Sequence, residues 1–224
     1  MASQSEILER MRRAGVKLIT NDHFVYVSGK HGRTYIKFDQ ALTRPTHQDM
    51  ILLCQLMALK FLRSGVEVVI GPERGAVILA ELVAEELSKM MGREIRSFPA
   101  LKIDDGEFDI TDPEAPAVIM GRKVLVVEDT INKGTNTRKV VRLVRGYDGN
   151  VIGVAALWNR GGVSEGDIYD VPRLYSLVNQ LFDSVDENVC SACKRKWPPV
   201  NTEYGHGREF LERQQLTLQA EASR

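Results

Sequence analysis

The stretch Val-Leu-Val-Val-Glu-Asp-Thr-Ile-Asn-Lys-Gly-Thr-Asn-Thr at residues 124–137 decides the fold of this chain. Its four apolar β-formers, residues 124–127, predict a strand that is buried on both faces. Two carboxylates, Glu128 and Asp129, stand at the predicted end of that strand. A polar loop with one glycine follows, and a helical pattern then runs from about residue 135 to 145. The sequence therefore predicts a strand, an acidic pair, a loop and a helix in direct succession.

This succession predicts a site for a phosphorylated sugar. Unpaired N–H groups and the positive dipole end of a helix attract phosphate, and two adjacent carboxylates can accept hydrogen bonds from neighbouring sugar hydroxyls. The P-loop pattern G-x-x-x-x-G-K-[ST] and the dinucleotide-binding pattern G-x-G-x-x-G both fit the stretch less well. An ordinary strand–turn–helix with acidic residues at the strand end is the alternative interpretation. The loop residues in question are Asn132, Lys133, Gly134, Thr135, Asn136 and Thr137.

The composition is that of an ordinary globular protein. The chain has 224 residues, of which 43% are hydrophobic and 27% are charged, and its 30 basic residues balance its 30 acidic ones. This neutrality gives no general field for nucleic acid or for an anionic membrane, and we expect neither as a partner. The chain has no apolar run of transmembrane length and no apolar N-terminal segment, which predicts a cytoplasmic protein. Three cysteines, an odd number, argue against a disulfide framework.

The rest of the chain alternates between predicted strands and helices, which indicates an α/β fold. Repeated strand–helix units predict a mainly parallel sheet with helices on both faces. In such sheets ligands bind beyond the carboxyl ends of the strands. Residues 102–116 are acidic and contain Gly and Pro, and they predict a mobile surface loop. The predicted N-terminal elements are a helix at 3–14, two β-runs at 24–27 and 34–38, and a long helix that begins at Pro45. The predicted core elements that follow are strands at 66–70, 95–101, 124–127 and 151–158 and helices at 76–91 and 135–145.

A second anion-binding element is predicted at Gly71-Pro72-Glu73-Arg74-Gly75. Glycines on both sides let backbone N–H groups approach an anion closely. Arg74 adds a planar guanidinium suited to phosphate oxygens, and Gly75 opens the following helix. Taken alone, such a segment after a strand is usually an ordinary turn.

These two elements resemble those of a known family. The apolar strand, acidic pair and Thr/Gly-rich loop resemble the motif by which type I phosphoribosyltransferases bind phosphoribosyl pyrophosphate (PRPP). The run Gly71–Gly75 resembles the pyrophosphate loop of the orotate phosphoribosyltransferase branch. The resemblance covers roughly residues 15–200. It implies the type I phosphoribosyltransferase fold, a mainly parallel twisted sheet flanked by helices, with a small N-terminal hood and a C-terminal extension.

The resemblance also implies a domain organisation. It predicts a phosphoribosyltransferase domain at residues 1–185, with the hood at about 1–45 and the core at about 46–185. Residues 186–224 would then be a C-terminal extension that carries a C-x-x-C motif and a helix. Family members commonly form homodimers, and the resemblance implies the same here.

The resemblance assigns roles on the sugar side of the site. Glu128 and Asp129 would hold the ribose hydroxyls, and residues 132–137 would hold the 5-phosphate. Arg74, Gly75 and Lys102 would hold the pyrophosphate together with Mg²⁺, Lys102 being the lysine of a closing loop. The catalytic residues implied are Lys102, Glu128 and Asp129. No dedicated metal cage is expected, because Mg²⁺ prefers a shell rich in substrate phosphate oxygens.

On the base side the resemblance implies that Lys30, Tyr35 and Arg160 contact the base. The family reads the base carboxylate with an arginine at the position of Arg160, which favours orotate and its conversion to orotidine 5′-monophosphate. Val27 and Asn159 depart from the family pattern. Two alternatives therefore stay open: a phosphoribosyltransferase that salvages another purine or pyrimidine base, and a non-catalytic regulator that senses PRPP.

The cysteines of Cys190-Ser191-Ala192-Cys193 have the spacing found in zinc sites. No second C-x-x-C exists in the chain, and His206 is the nearby candidate for a third ligand. A complete tetrahedral site would need a further residue or a partner subunit. Reduced thiols without metal are the alternative interpretation.

Overall fold

The computed structural model of the protein describes residues 3–38, 42 and 48–222. Pro45, the predicted start of a long helix, lies outside these residues. In chain order the helices and strands are α1 (Gln4–Arg13), β1 (Lys17–Val25), β2 (His31–Lys37), α2 (Gln48–Phe61), β3 (Val68–Pro72), α3 (Ala76–Met91), β4 (Arg96–Lys102), β5 (Phe108–Asp109), α4 (Ala115–Ile119), β6 (Lys123–Ile131), α5 (Thr135–Gly146), β7 (Asn150–Asn159), β8 (Leu174–Asn179), β9 (Ser184–Val185), α6 (Ser191–Arg195) and α7 (Gly207–Ala222).

The chain forms two compact units, each of which is discontinuous in sequence. The first contains residues 1–16 and 38–181, and the second contains residues 17–37 and 182–224. The predicted boundaries differ from these, because the N-terminal helix groups with the core. The hairpin of the predicted hood groups instead with the C-terminal segment.

The first unit is built on a six-stranded sheet in the order β5-β4-β3-β6-β7-β8. Strands β3, β4, β6, β7 and β8 pair in parallel, and only the short edge strand β5 runs antiparallel, against β4. The predicted mainly parallel α/β sheet is therefore confirmed. Strand β8 is not among the predicted strands, and β6 continues to Ile131, beyond the predicted strand end before Glu128.

Helices cover this sheet because its central strands carry apolar side chains on both faces of the sheet. Alternate residues of β3, β6 and β7 pack with α4 and α5 in one hydrophobic cluster. The residues between them point to the opposite face, and they are buried as well. Helices α2 and α3 also contact the sheet. The residues in the cluster with α4 and α5 include Val68, Ile70, Val124, Val126, Val154 and Ala156; those between them include Val69, Leu125, Val127, Ala155 and Leu157.

Helix α1 begins with a capping box formed by Ser3 and Glu6. The Glu6 N–H donates to Ser3 Oγ at 3.3 Å, and the Ser3 N–H donates to the Glu6 carboxylate at 2.6 Å. At its other end Arg10 and Arg13 both bind the carboxylate of Asp49 on α2 at 2.9 Å. These ion pairs join α1 to the helix that packs beneath it.

The segment predicted as a mobile loop, residues 102–116, contains regular structure. Lys102 pairs with Phe108, so that β4 and β5 form a hairpin around a turn at Asp104–Gly106. The turn is bound to α5, because Lys139 Nζ donates to the Gly106 carbonyl at 2.7 Å and forms an ion pair with Glu107 at 3.0 Å. The acidic residues of this segment therefore serve partly as partners for cations on α5.

The second unit contains a three-stranded antiparallel sheet in the order β1-β2-β9. A turn at residues 26–30 closes the β1–β2 hairpin, with the Tyr26 N–H donating to the Lys30 carbonyl at 2.8 Å. Strand β9 pairs with the start of β2 and leads into α6 and α7. Across the described residues of both units, no helix combines the length and apolar character needed to cross a bilayer.

Candidate active site

The predicted sugar and pyrophosphate residues lie at one edge of the six-stranded sheet. Strands β3, β4, β6 and β7 are parallel neighbours, so their carboxyl ends meet at the same edge. Arg74 follows β3, Lys102 ends β4, and Arg160 follows β7. The acidic pair and the loop 132–137 belong to β6 and its exit, between the other two groups.

Asp129 and Gly75 are in direct contact at this edge. A Cβ added to Gly75 would lie 2.0 Å from Asp129 Oδ2, which only a residue without a side chain avoids. Gly71 has a comparable role, since a Cβ there would lie 2.1 Å from the carbonyl oxygen of Ala76. The two glycines of the Gly71–Gly75 loop therefore allow the loop to lie against β6 and the first turn of α3.

The acidic pair divides into a buried and a half-buried carboxylate. The Glu128 side chain is buried, with 7% exposure for the residue, whereas Asp129 is partly open to solvent. Burial raises the pKa of Glu128 well above its usual range, and the neighbouring Asp129 carboxylate adds to the shift. The Asp129 N–H donates to Glu128 Oε1 at 3.1 Å, and the Thr130 N–H donates to Asp129 Oδ1. A ligand that donates hydrogen bonds here would meet one exposed acceptor and one that favours its protonated form.

The loop after β6 presents the start of α5 to the same edge. Gly134 has φ 68°, a left-handed conformation that favours glycine, and it directly precedes the helix. The first intrahelical bond runs from the Arg138 N–H to the Gly134 carbonyl. No side chain among the described residues caps this end, so the N–H groups of residues 135–137 are available to an anion.

Arg138 holds the loop in this conformation. Its Nη1 donates to the carbonyls of Lys133 and Asp167 at 3.0 Å each, and its Nη2 lies 3.3 Å from Thr135 Oγ1. The Lys133 carbonyl of the loop is thereby turned toward the guanidinium. No motif singles out Arg138 in the sequence, and its bond to the Asp167 carbonyl forms only where the helix and the 164–170 segment pack together.

The turn after β7 is tied to the phosphate loop. The Arg160 N–H donates to the Ile131 carbonyl at 2.9 Å, and a Cβ on Gly161 would lie 1.5 Å from the Asn132 carbonyl oxygen. Asn159 is buried, and its amide both donates to the Val163 carbonyl at 2.8 Å and accepts from the Val163 N–H at 3.1 Å. Asn159 therefore shapes the turn that carries Arg160.

Glu73 links the loop after β3, which carries Arg74, to the end of β4, which carries Lys102. The Glu73 N–H donates to the Ala100 carbonyl, and the Lys102 N–H donates to Glu73 Oε2 at 2.9 Å. Arg74 and Lys102 are both exposed. The two cations therefore stand on adjacent strands, with a carboxylate that binds the backbone rather than either side chain.

Lys30 and Tyr35 belong to the second unit. Lys30 Nζ lies 3.7 Å from Asp186, and the Tyr35 ring packs against Tyr204 with ring centres 5.9 Å apart.

The predicted zinc ligand His206, also in the second unit, is half-exposed and lies 3.6 Å from the Glu209 carboxylate. Cys190 and Cys193 are close to two other histidines, His23 and His31, rather than to His206. The predicted ligand set with His206 is therefore corrected.

Comparisons with known proteins agree with this arrangement. The model of the phosphoribosyl transferase domain family matches residues 47–188. The orotate phosphoribosyltransferase of Thermoanaerobacter sp. (strain X514) is 32% identical over 198 residues, which are 88% of this chain and 95% of the relative. The orotate phosphoribosyltransferase of Caldicellulosiruptor bescii is 32% identical over 178 residues, which are 80% of this chain and 86% of the relative.

Solved structures agree as well. Mycobacterium tuberculosis orotate phosphoribosyltransferase in complex with PRPP superposes with a TM-score of 0.56 at 25% identity, covering 80% of this chain and 91% of that one. Adenine phosphoribosyltransferase of Saccharomyces cerevisiae, at 16% identity and a TM-score of 0.55, covers 78% of this chain and 99% of that one, and it shares the fold. The chain therefore belongs to the phosphoribosyltransferase family, in the branch of the orotate phosphoribosyltransferases.

Proposed function

We propose that the protein transfers ribose 5-phosphate from PRPP to orotate, forming orotidine 5′-monophosphate and pyrophosphate. The observation that carries the proposal is the convergence of two anion-binding loops and an acidic pair at one sheet edge, with Asp129 in contact with Gly75. The relatives named orotate phosphoribosyltransferase support the choice of base. The solved relative in complex with PRPP supports the choice of sugar donor.

The proposed transfer requires the protein to position the two substrates and to stabilise charge, and it requires no covalent intermediate with the protein. As a base nitrogen attacks C1 of the ribose, the bond to pyrophosphate breaks and the ribose gains oxocarbenium character. The carboxylates of Glu128 and Asp129 hold the ribose hydroxyls and stabilise positive charge on the ring. The N–H groups of residues 135–137 hold the 5-phosphate, which fixes the distance between C1 and the attacking base.

Negative charge grows on the departing pyrophosphate. Arg74 and Lys102 are exposed cations on adjacent strands of the same edge. A guanidinium matches the geometry of phosphate oxygens and stays charged throughout. These two side chains therefore stabilise the leaving group, and their contribution is largest in the transition state.

The residues at this edge also fit Mg²⁺. The donors present are carboxylates, of which Asp129 is partly open to solvent, and Mg²⁺ takes one or two such oxygens together with substrate phosphates. When bound, Mg²⁺ would neutralise pyrophosphate charge. Glu128 and Asp129 would be the residues that hold it together with the oxygens of bound PRPP, and no dedicated protein cage would be needed.

Arg160 is the residue that we propose recognises the base. Its backbone is fixed by the bond to the Ile131 carbonyl, and the buried Asn159 amide sets the turn around it. A guanidinium pairs strongly and selectively with a carboxylate such as that of orotate. Lys30 and Tyr35 stay candidates for contacts to the base, Lys30 to its carboxylate, on the family resemblance alone. A homodimer and a cytoplasmic location are proposed on the same resemblance and on the neutral, cysteine-poor composition.

The experiment is a base panel. The protein is incubated with PRPP and Mg²⁺ and with orotate, uracil, adenine, guanine or hypoxanthine in turn, and pyrophosphate release is measured. We expect turnover with orotate, and a large loss of orotate turnover in Arg160→Ala. Arg63→Ala is the matched control, because Arg63 is exposed and precedes β3 at the opposite edge of the sheet.

Use of a purine with no use of orotate would overturn the base assignment and leave the sugar site standing. Tight PRPP binding with no turnover on any base would favour the PRPP-sensing regulator. Binding is therefore measured alongside turnover by calorimetry. Light scattering of the same samples tests the proposed homodimer.

A further inference from the structure

Four side chains with metal-binding atoms converge in the second unit, and none of the four has a role in the proposed transfer. They are His23 on β1, His31 at the start of β2, and Cys190 and Cys193 around the start of α6. One ligand atom from each lies within 4.8 Å of all the others. Cys190 and His23 are 167 residues apart in sequence. A cluster of this kind at such separation is a property of the fold and not of one local motif.

Local structure explains how the four side chains meet. A bulge between Thr20 and Phe24 shifts the pairing of β1, and the last residues of this strand are buried. Strand β9 pairs Val185 with His31, which brings the following segment beside the hairpin. The turn at Glu187–Val189 and helix α6 then place the two cysteines three residues apart on one side of a helical turn.

The distances match a tetrahedral site with two nitrogen and two sulfur ligands. Cys190 Sγ and Cys193 Sγ each lie 3.6 Å from His23 Nε2, and Cys193 Sγ lies 3.3 Å from His31 Nδ1. Zinc bonds of about 2.05 Å to nitrogen and about 2.3 Å to sulfur put N and S ligands about 3.6 Å apart. His23 Nε2 and His31 Nδ1 lie 2.9 Å apart, whereas two nitrogen ligands of a tetrahedral zinc ion lie about 3.3 Å apart. The two rings would therefore have to move apart slightly for both nitrogens to bind the ion.

The hydrogen bonds around the cluster turn the correct atoms inward. His23 Nδ1 lies 3.2 Å from the Pro198 carbonyl, which can only accept, so Nδ1 carries the proton and Nε2 keeps its lone pair for the centre. This backbone contact is the outer partner that metal-binding histidines commonly have. His31 faces the centre with Nδ1, and its Nε2 is buried without a hydrogen-bond partner among the described residues. Its ring packs edge-on against Phe210 at 4.8 Å.

Burying these four polar side chains destabilises the fold unless a shared partner binds them. His23 is 2% exposed, His31 is fully buried, and Cys190 is buried with them. Buried polar groups lose free energy unless each is bonded, and thiols are weak hydrogen-bond donors and acceptors. A single cation that accepts lone pairs from all four atoms satisfies them at once.

We propose that His23, His31, Cys190 and Cys193 form a structural zinc site. Two thiolates and two imidazoles are the ligand set that zinc prefers, and four protein ligands leave no open position for substrate. The ion would join the β1–β2 hairpin to residues 186–198, in addition to the contacts of His23 with the Pro198 carbonyl and of Lys30 with Asp186. This site is independent of the proposed transfer reaction, and it can be right or wrong whatever the base proves to be.

The test is metal analysis of the full-length protein together with cobalt substitution. After dialysis against zinc and then metal-free buffer, we expect about one zinc ion per chain in the wild type. Protein stripped by a chelator and titrated with Co²⁺ should gain the strong visible absorption of tetrahedral thiolate-bound cobalt, saturating at about one equivalent. Its melting temperature should fall on stripping and return when Zn²⁺ is added.

Matched variants separate the four ligands from similar residues elsewhere. Cys193→Ser and His31→Gln should lose zinc retention and the cobalt spectrum. His206→Ala and Cys54→Ala should keep both, because His206 pairs with Glu209 and Cys54 is buried on α2. If a ligand variant does not fold, the wild-type cobalt spectrum decides by itself.

Two results would overturn the proposal. One is wild-type protein, with both thiols shown to be reduced, that retains no zinc and gives no tetrahedral cobalt spectrum. This would leave a hydrogen-bonded cluster of thiols and imidazoles. The other is a protein whose mass under non-reducing conditions is two hydrogens below that of the reduced chain, and which still binds no metal after reduction. This result would assign Cys190 and Cys193 to a disulfide. Loss of zinc in His206→Ala with retention in His31→Gln would also contradict the ligand set.

Discussion

Asp129 Oδ2 lies so close to Gly75 that a Cβ at position 75 would be 2.0 Å from it. This contact joins the loop after β3 to the acidic pair of β6, and hence the proposed pyrophosphate site to the proposed ribose site. Either the carboxylate or the loop must move if residue 75 gains a side chain.

Gly75→Ala should lower PRPP affinity at least tenfold while the fold survives. The new methyl group displaces the carboxylate that holds the ribose hydroxyls, and 1.4 kcal/mol of lost binding already corresponds to tenfold. Calorimetry with PRPP and Mg²⁺ measures the change. Gly146→Ala is the control, because a Cβ there meets nothing within 4 Å. An unchanged affinity in Gly75→Ala would mean that Asp129 does not contact the ribose.

PRPP binding should depend on the protonation of Glu128. Burial and the Asp129 charge raise the pKa of Glu128, so the ligand-free protein favours its protonated form. Ribose hydroxyls donate to the ionised form, so binding releases a proton and affinity should rise as pH rises toward that pKa, by up to about tenfold per pH unit. Calorimetry in buffers of different ionisation enthalpy counts the proton released.

The phosphates of PRPP titrate too, and Glu128→Gln separates their effect from that of the protein. The variant should bind more weakly and should lose the part of the pH dependence that belongs to Glu128. Identical proton release in wild type and Glu128→Gln would show that Glu128 does not change its protonation on binding.

Arg74→Ala should slow turnover far more than it weakens binding of the base. Its guanidinium meets the leaving pyrophosphate, where charge grows in the transition state, and losing such a contact costs about 2–4 kcal/mol in the barrier. Steady-state kinetics should therefore show kcat reduced by a factor of roughly 10² or more. Arg63→Ala should leave kcat unchanged, and a rate for Arg74→Ala within a few-fold of wild type would assign Arg74 to the solvated surface.

Asp49→Asn should destabilise the first unit at neutral pH by about 1 kcal/mol, an amount kept small because the partner arginines are partly solvated. The hydrogen bond from Arg13, together with that from Arg10, lowers the pKa of Asp49 to about 2. A carboxyl pKa depressed by folding contributes stability that is complete above the unfolded value of about 3.9 and is lost as pH falls through the folded value.

Urea denaturation at several pH values measures this effect. The difference between wild type and Asp49→Asn should be constant near neutral pH and shrink as pH falls below about 4. Asp170→Asn, at an exposed aspartate, should show no such difference. A difference that persists unchanged at low pH would mean that packing at position 49, and not its charge, stabilises the helix pair.

Elements that depend only on neighbouring residues can be predicted from the local sequence. Uninterrupted β-formers at 124–127 predict a strand buried on both faces, and the helix at 76–91 follows from its own periodicity. The acidic pair and Gly134 belong to the same local unit, so their place at the sheet edge could be predicted. The glycines of Gly71–Gly75 were recognised for the same reason, although the contact with Asp129 was not.

Long-range packing sets which distant segments share a unit. The hairpin at 17–37 joins residues 182–224 and not the adjacent helix α1, and this pairs His23 and His31 with Cys190 and Cys193 in place of His206. Local propensity carries no information about such partners. They are selected when the whole chain buries its apolar surface, because the entropy of closing a loop changes little with its length and leaves packing to choose among distant contacts.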